Sequence, residues 1–135
     1  MGTLKTSLTL STADVLSSDV QLTCSSSVNA DSGSMMRVKL LGTAAGSDAI
    51  TIYKASDKVD NAYVYIKNMD AERENYIYVY ADSASDDPVI MKIAGYEFAF
   101  FPAKSDQDLK AYATKVDTIV EYGVFGLDSS SVKLV

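Results

Sequence analysis

The chain has 135 residues, 47% of them hydrophobic, with 18 Asp and Glu against 12 Lys and Arg and a net charge of −6; this is the composition of one globular domain. It carries no histidine and one cysteine, which excludes Ser-His-Asp and Cys-His nucleophile systems as well as imidazole and multi-cysteine zinc sites. An acidic chain with no basic stripe is not built for duplex binding, and no apolar run approaches the ~20 residues that cross a bilayer, so neither a nucleic-acid nor a membrane partner is expected.

In chain order, Leu4, Thr6, Leu8 and Leu10 alternate with Lys5, Ser7 and Thr9, which predicts a strand with one apolar face. This Ser/Thr-rich zone has no dense core of its own. Residues 1–24 are therefore expected to form an N-terminal arm or edge strand of a single 1–135 domain, with Leu4, Leu8 and Leu10 as its contact residues. Val20, Leu22 and Cys24 continue the pattern, and the alternation predicts Cys24 as a small buried apolar residue. Residues 25–34 read as a polar loop or a loosely paired edge. Met36, Val38 and Leu40 mark a strand, residues 42–48 a turn with glycine near both ends, and Ile50 and Ile52 a further strand.

The strongest local signal is a pair of matched segments, 62–67 and 76–81, joined by the polar stretch 68–75. They read as a hairpin with Val64, Ile66, Ile77 and Val79 on one face and Tyr63, Tyr65, Tyr76, Tyr78 and Tyr80 on the other. Strands follow at 89–93 and 98–101, the second stopped by Pro102 after a tight turn at 94–97. Others read at 109–113, 118–122 and 131–135; residues 105–113 hold at most a single helical turn. Short strands at such intervals predict an all-β fold, an antiparallel sandwich or jelly-roll-like barrel, burying Val64, Ile66, Ile77, Val79, Ile93 and either Phe98 or Phe101.

Three groups of side chains could carry chemistry. The five tyrosines would make an aromatic platform for a partner protein or a sugar; the plainer account is a second buried layer or a face stiffened by aromatic pairs. The acidic loop 82–87 offers oxygen ligands loosely suited to calcium, as Asp57 and Asp60 do more weakly. It lacks the glycine and distal glutamate of an EF-hand, and ordinary turn chemistry accounts for it. Glu97 and Glu121 interrupt apolar strand patterns, but a domain this small has little room for a glycosidase cleft, and charge on strands guards against aggregation. No catalytic residue, metal or cofactor is expected.

From Ala62 to Gly126 the order of segments resembles small virion structural proteins of tailed bacteriophages, particularly marine ones. The likeness runs through Ala62-Tyr63-Val64-Tyr65-Ile66-Lys67, Tyr76-Ile77-Tyr78-Val79-Tyr80 and Val89-Ile90-Met91-Lys92-Ile93. It continues through Phe98-Ala99-Phe100-Phe101-Pro102, Asp108-Leu109-Lys110-Ala111 and Val120-Glu121-Tyr122. The turn Ala94-Gly95-Tyr96-Glu97 departs from the pattern, lacking its proline and carrying an extra tyrosine. The resemblance implies a non-enzymatic virion protein, first of all a capsid decoration or cement protein made in the host cytoplasm. Its expected partners are the major capsid protein, other virion subunits and its own copies. A tail, neck or fibre-associated module, or a glycan-binding module, stands as the alternative.

Overall fold

A computed structural model describes residues 2–13, 18, 21–30, 32–82, 87–103 and 107–128. Ten strands form there: β1 (Gly2–Ser11), β2 (Gln21–Ala30), β3 (Ser32–Leu40), β4 (Ile50–Tyr53), β5 (Lys58–Asn68), β6 (Ile77–Ala81), β7 (Val89–Ile93), β8 (Phe98–Ala103), β9 (Leu109–Ala113) and β10 (Thr118–Asp128). A single 3₁₀ turn, Ala55–Asp57, precedes β5.

The last eight strands make two four-stranded antiparallel sheets, ordered β3-β10-β5-β8 and β4-β9-β6-β7. The pairing is nested: β3 with β10, β4 with β9, β5 with β8 and β6 with β7. One long hairpin rolled up on itself gives this order, which is the jelly roll. The all-β sandwich expected from alternation is what forms. Its inner faces hold Leu40, Ile52, Val64, Ile66, Ile77, Val79, Ile93, Leu109 and Val120, with Phe101 packed against them. Each such side chain contributes roughly 1.5–3 kcal/mol on leaving water. Phe101 rather than Phe98 turns inward, because it stands opposite inward-facing Val64 in the β5–β8 register, while Phe98 opposes Lys67 and is exposed.

Three expectations need correcting. Segments 62–67 and 76–81 are not a hairpin, since β5 and β6 lie in different sheets. Their apolar faces meet across the sandwich instead of side by side, so the tyrosines point out of opposite sides of the molecule. Pro102 does not stop β8, which runs to Ala103; β8 is a sheet edge, where a proline's missing N–H removes no bond. Cys24 is exposed rather than buried, because it lies on an alternating face that nothing encloses. Of the two alternatives for residues 25–34, the paired edge is the one that forms, since 25–30 and 32–34 lie in β2 and β3, each at the edge of its sheet. The predicted strand at 131–135 lies outside the described residues, as do residues 105 and 106 of the single-turn segment, whose residues 109–113 form β9.

The first two strands form a separate two-stranded sheet, paired in register from Gly2↔Ala30 to Ser11↔Gln21. We call this hairpin the arm. It reaches Ala30, beyond the 1–24 span expected from sequence, and only Asp31 stands between it and β3.

Candidate functional site

The β1–β2 register puts Leu4, Thr6, Leu8 and Leu10 on one face of the arm, with Ser26 opposite Thr6, Cys24 opposite Leu8 and Leu22 opposite Leu10. The other face is Thr3, Lys5, Ser7, Thr9 and Ser11 against Ser27, Ser25, Thr23 and Gln21. The arm is thus one-sided, with a hydroxyl-rich face, an apolar face and a single formal charge, Lys5, in its twenty strand residues. Thr6 and Ser26 share a hydroxyl–hydroxyl hydrogen bond of 2.9 Å within the apolar face.

Opposite the arm is the outer face of the β3-β10-β5-β8 sheet. Strand parity brings Tyr63, Tyr65, Phe98, Phe100 and Phe125 to that face. Tyr63 and Phe100 stack with ring centroids 6.1 Å apart. The Phe125 ring lies over the backbone of its cross-strand partner Gly33, where an added Cβ would collide with it; an aromatic ring covering a facing glycine supports the pair.

Arm and sheet together line a groove of about 710 Å³, with Leu8, Leu10 and Cys24 from the arm and Tyr65, Phe98 and Phe100 from the sheet. Lys5 is the one charged residue in its lining. Leu4, nearer the base of the arm, lines a second groove with Met35 and Phe125. The contact between arm and sheet is loose: Leu8 is 44% exposed, Leu10 53%, Phe98 59% and Phe100 40%. Apolar groups left this open in one continuous patch mark an interaction surface.

At the rim of this face, a polar cluster ties three strands. Arg37 of β3 donates to Glu121 of β10 at 2.7 Å, and the Tyr65 hydroxyl of β5 donates to the other Glu121 oxygen at 2.8 Å. Burial first, and then the hydrogen bond to Glu121, push the Tyr65 phenol up to about 12. The Arg37 hydrogen bond, followed by that from Tyr65, holds the Glu121 carboxyl below its ordinary range. Glu121 is therefore a strand clamp. Glu97 is also occupied, accepting from the Ala94 N–H at 2.8 Å and from Arg73 at 3.2 Å.

The other three tyrosines singled out from sequence, Tyr76, Tyr78 and Tyr80, belong to the outer side of the other sheet. Tyr78 stacks on Tyr112 at 5.2 Å, and the Lys92 ammonium sits 4.0 Å over the Tyr76 ring, a cation–π contact. Tyr80 is buried beneath the turn at residues 42–48, its hydroxyl accepting from the Gly46 N–H at 3.3 Å. Of the residues singled out from sequence, the structure thus brings Leu8, Leu10 and Tyr65 into one groove and places Leu4 and Tyr63 beside it. Tyr76, Tyr78 and Tyr80 are on the far side.

Sequence reasoning missed Phe98 and Phe100 as surface residues, although Phe98-x-Phe100 alternates against Ala99-x-Phe101. Nothing in the alternation says which face is inward; the pairing with β5 decides it. Of the calcium candidates, residues 83–86 and the side chain of Asp60 lie outside what is described, and Asp82 lies 3.4 Å from the Lys110 ammonium. No group of three or more His, Cys, Asp or Glu placed to hold a metal ion occurs among the described residues.

No protein-family model, curated protein or solved structure matches this chain.

Proposed function

We propose that this chain is a structural subunit of a tailed-phage particle, acting as a capsid decoration or cement protein that binds the assembled shell. The observation that carries this is the open apolar groove, in which a one-sided arm and an aromatic sheet face leave Leu8, Leu10, Phe98 and Phe100 half-exposed. Such a surface serves contact with protein. Jelly rolls recur in viral capsids as well as in lectins and cupins. The fold therefore admits the reading, and the resemblance of residues 62–126 to phage virion proteins favours it among the fold's uses. The mechanism is adhesion. Apolar surface buried against the major capsid protein or other virion subunits stabilises the assembled state by mass action, and many copies on one shell add avidity.

The test is co-sedimentation with purified empty phage heads. Saturation at a fixed number of copies per shell, with a rise in the shell's melting temperature, is the expected result. Binding without a plateau, or none, would defeat the reading. The Tyr78–Tyr112 stack flanked by Lys92 favours a second reading, a tail- or fibre-associated module recognising host glycans. Glycan-array binding abolished by Tyr78→Ala, in a protein that ignores shells, would establish it.

A further inference from the structure

The arm raises a physical problem. A two-stranded ribbon is at best marginally stable in water by itself, and this one has a single charge and a half-exposed apolar face. It needs a surface to lie on. The chemically matched surface on this molecule is the outer face of the β3-β10-β5-β8 sheet, where Tyr65, Phe98 and Phe100 line the same groove as Leu8, Leu10 and Cys24. Within one chain the two do not close. Leu22, on the arm's apolar face opposite Leu10, is 54% exposed. Only one residue separates β2 from β3, so the base of the arm stays beside the start of β3, and its far half, Leu8, Leu10 and Leu22, is left half-exposed.

A second copy brings the same arm without that tether. We propose that the arm of one copy docks by its Leu8–Leu10–Leu22 face on the Tyr65–Phe98–Phe100 face of another, so that the chain forms a closed homo-oligomer by arm exchange. The occupant is a second copy because the groove is complementary to this chain's own arm. The groove surface is mainly apolar, the polar part of the arm wall being hydroxyls and one charge, Lys5, and the contact already exists in loose form within the chain. Exchanging a contact already present within a protomer is a low-cost route to oligomers, and short connections invite it. A partner recognised by charge would find little to pair with. The inference deepens the structural reading of the chain, but its test uses no shells, so the two can fail separately.

The full chain is measured by light scattering up to about 100 µM, a range in which even weak self-association is populated. An oligomer is expected, and Leu8→Ser/Leu10→Ser should weaken it by at least about tenfold, as loss of central apolar contacts does. These side chains are already half-exposed, so circular dichroism should report an unchanged jelly roll. A second measurement gives the geometry. A mass-labelled Cys24→Ser/Phe98→Cys chain is mixed with the native chain and oxidised with copper-phenanthroline. Mass spectrometry should then find a disulfide-linked heterodimer, joining Cys24 of the native chain to the thiol introduced on β8 of the labelled one. A monomer throughout the range, an oligomer indifferent to Leu8→Ser/Leu10→Ser, or absence of the heterodimer although the Cys24→Ser/Phe98→Cys chain still co-assembles with the native one by light scattering, would each overturn arm exchange. A monomer that still saturates shells would sink this inference and keep the decoration role; an oligomer that ignores shells would do the reverse.

Discussion

The Asn68 side chain joins separate segments of the chain. It is fully buried at the end of β5, where strand parity would place an apolar side chain. Its amide nitrogen donates to the carbonyls of Asn75 at 2.7 Å and Ile93 at 3.0 Å, and its amide oxygen accepts from the Asp70 N–H at 3.0 Å. Its backbone donates to Glu97 and accepts from Tyr96. One side chain thus satisfies the loop between β5 and β6 and the end of β7. Asn68→Ala takes the partner from two buried carbonyls and one half-buried N–H, and a penalty of about 1–3 kcal/mol for each buried group left unpaired predicts a loss of several kcal/mol. Urea unfolding should show it as a lower midpoint with unchanged slope; a loss below about 0.5 kcal/mol, within the range of neutral surface changes, would refute the role. In sequence Asn68 reads as the first residue of a polar linker, because an asparagine signals a turn whether or not it is buried. Its buried position follows from the two sheets closing over it.

At the scale of elements, strand parity was legible and strand pairing was not. Val64, Ile66, Ile77 and Val79 are all fully buried, as alternation requires, since side-chain direction is a property of each strand alone. Whether β5 pairs with β6 depends on the connection, and residues 69–76 cross from one sheet to the other instead of reversing within one. That crossing is locked by the next one, the turn between β7 and β8. A Cβ on Gly95 would lie 2.2 Å from the Glu72 carbonyl oxygen and 2.9 Å from that of Asp70, so the two connections touch backbone to backbone. Gly95→Ala must push them apart, and a cost of about 1–3 kcal/mol or more is expected, as for overpacking a fixed site. Thermal melting of Gly95→Ala should show a clear fall in Tm, and a value equal to that of the native chain would mean that the connections separate freely. The same turn holds Tyr96 at φ 66°, in the left-handed region that costs ordinary residues about 1–2 kcal/mol.

For the whole molecule, nesting is the property that sequence patterns conceal. β3 pairs with β10 from Leu40↔Thr118 to Ser32↔Gly126, joining opposite ends of the jelly roll over separations that no local pattern reports. Composition and spacing gave the class, and the groove emerged only when β8 and the arm came to the same sheet face. Its clamp makes the assembled fold respond to pH at both extremes. Arg37, Glu121 and Tyr65 tie β3, β10 and β5 together. The folded-state pKa of Glu121 lies below its ordinary value of 4.5, so its contribution is complete above that value and is lost as pH falls through the lowered one. Tyr65 moves the other way, from 10.0 to about 12. Its contribution is complete below 10 and is lost as pH rises through the folded value, since the unfolded chain releases that proton first. Asp70, lowered chiefly by the Glu72 N–H, adds to the acid side alone. Glu121→Gln should therefore lower stability at neutral pH and flatten both limbs, leaving a residual acid limb from Asp70 and an alkaline limb reduced only in part, because burial is the larger cause of the Tyr65 shift. Urea midpoints across the pH range, with tyrosine ionisation followed by ultraviolet absorbance, test this. Parallel pH profiles for the native chain and Glu121→Gln would show that the clamp does not couple these strands.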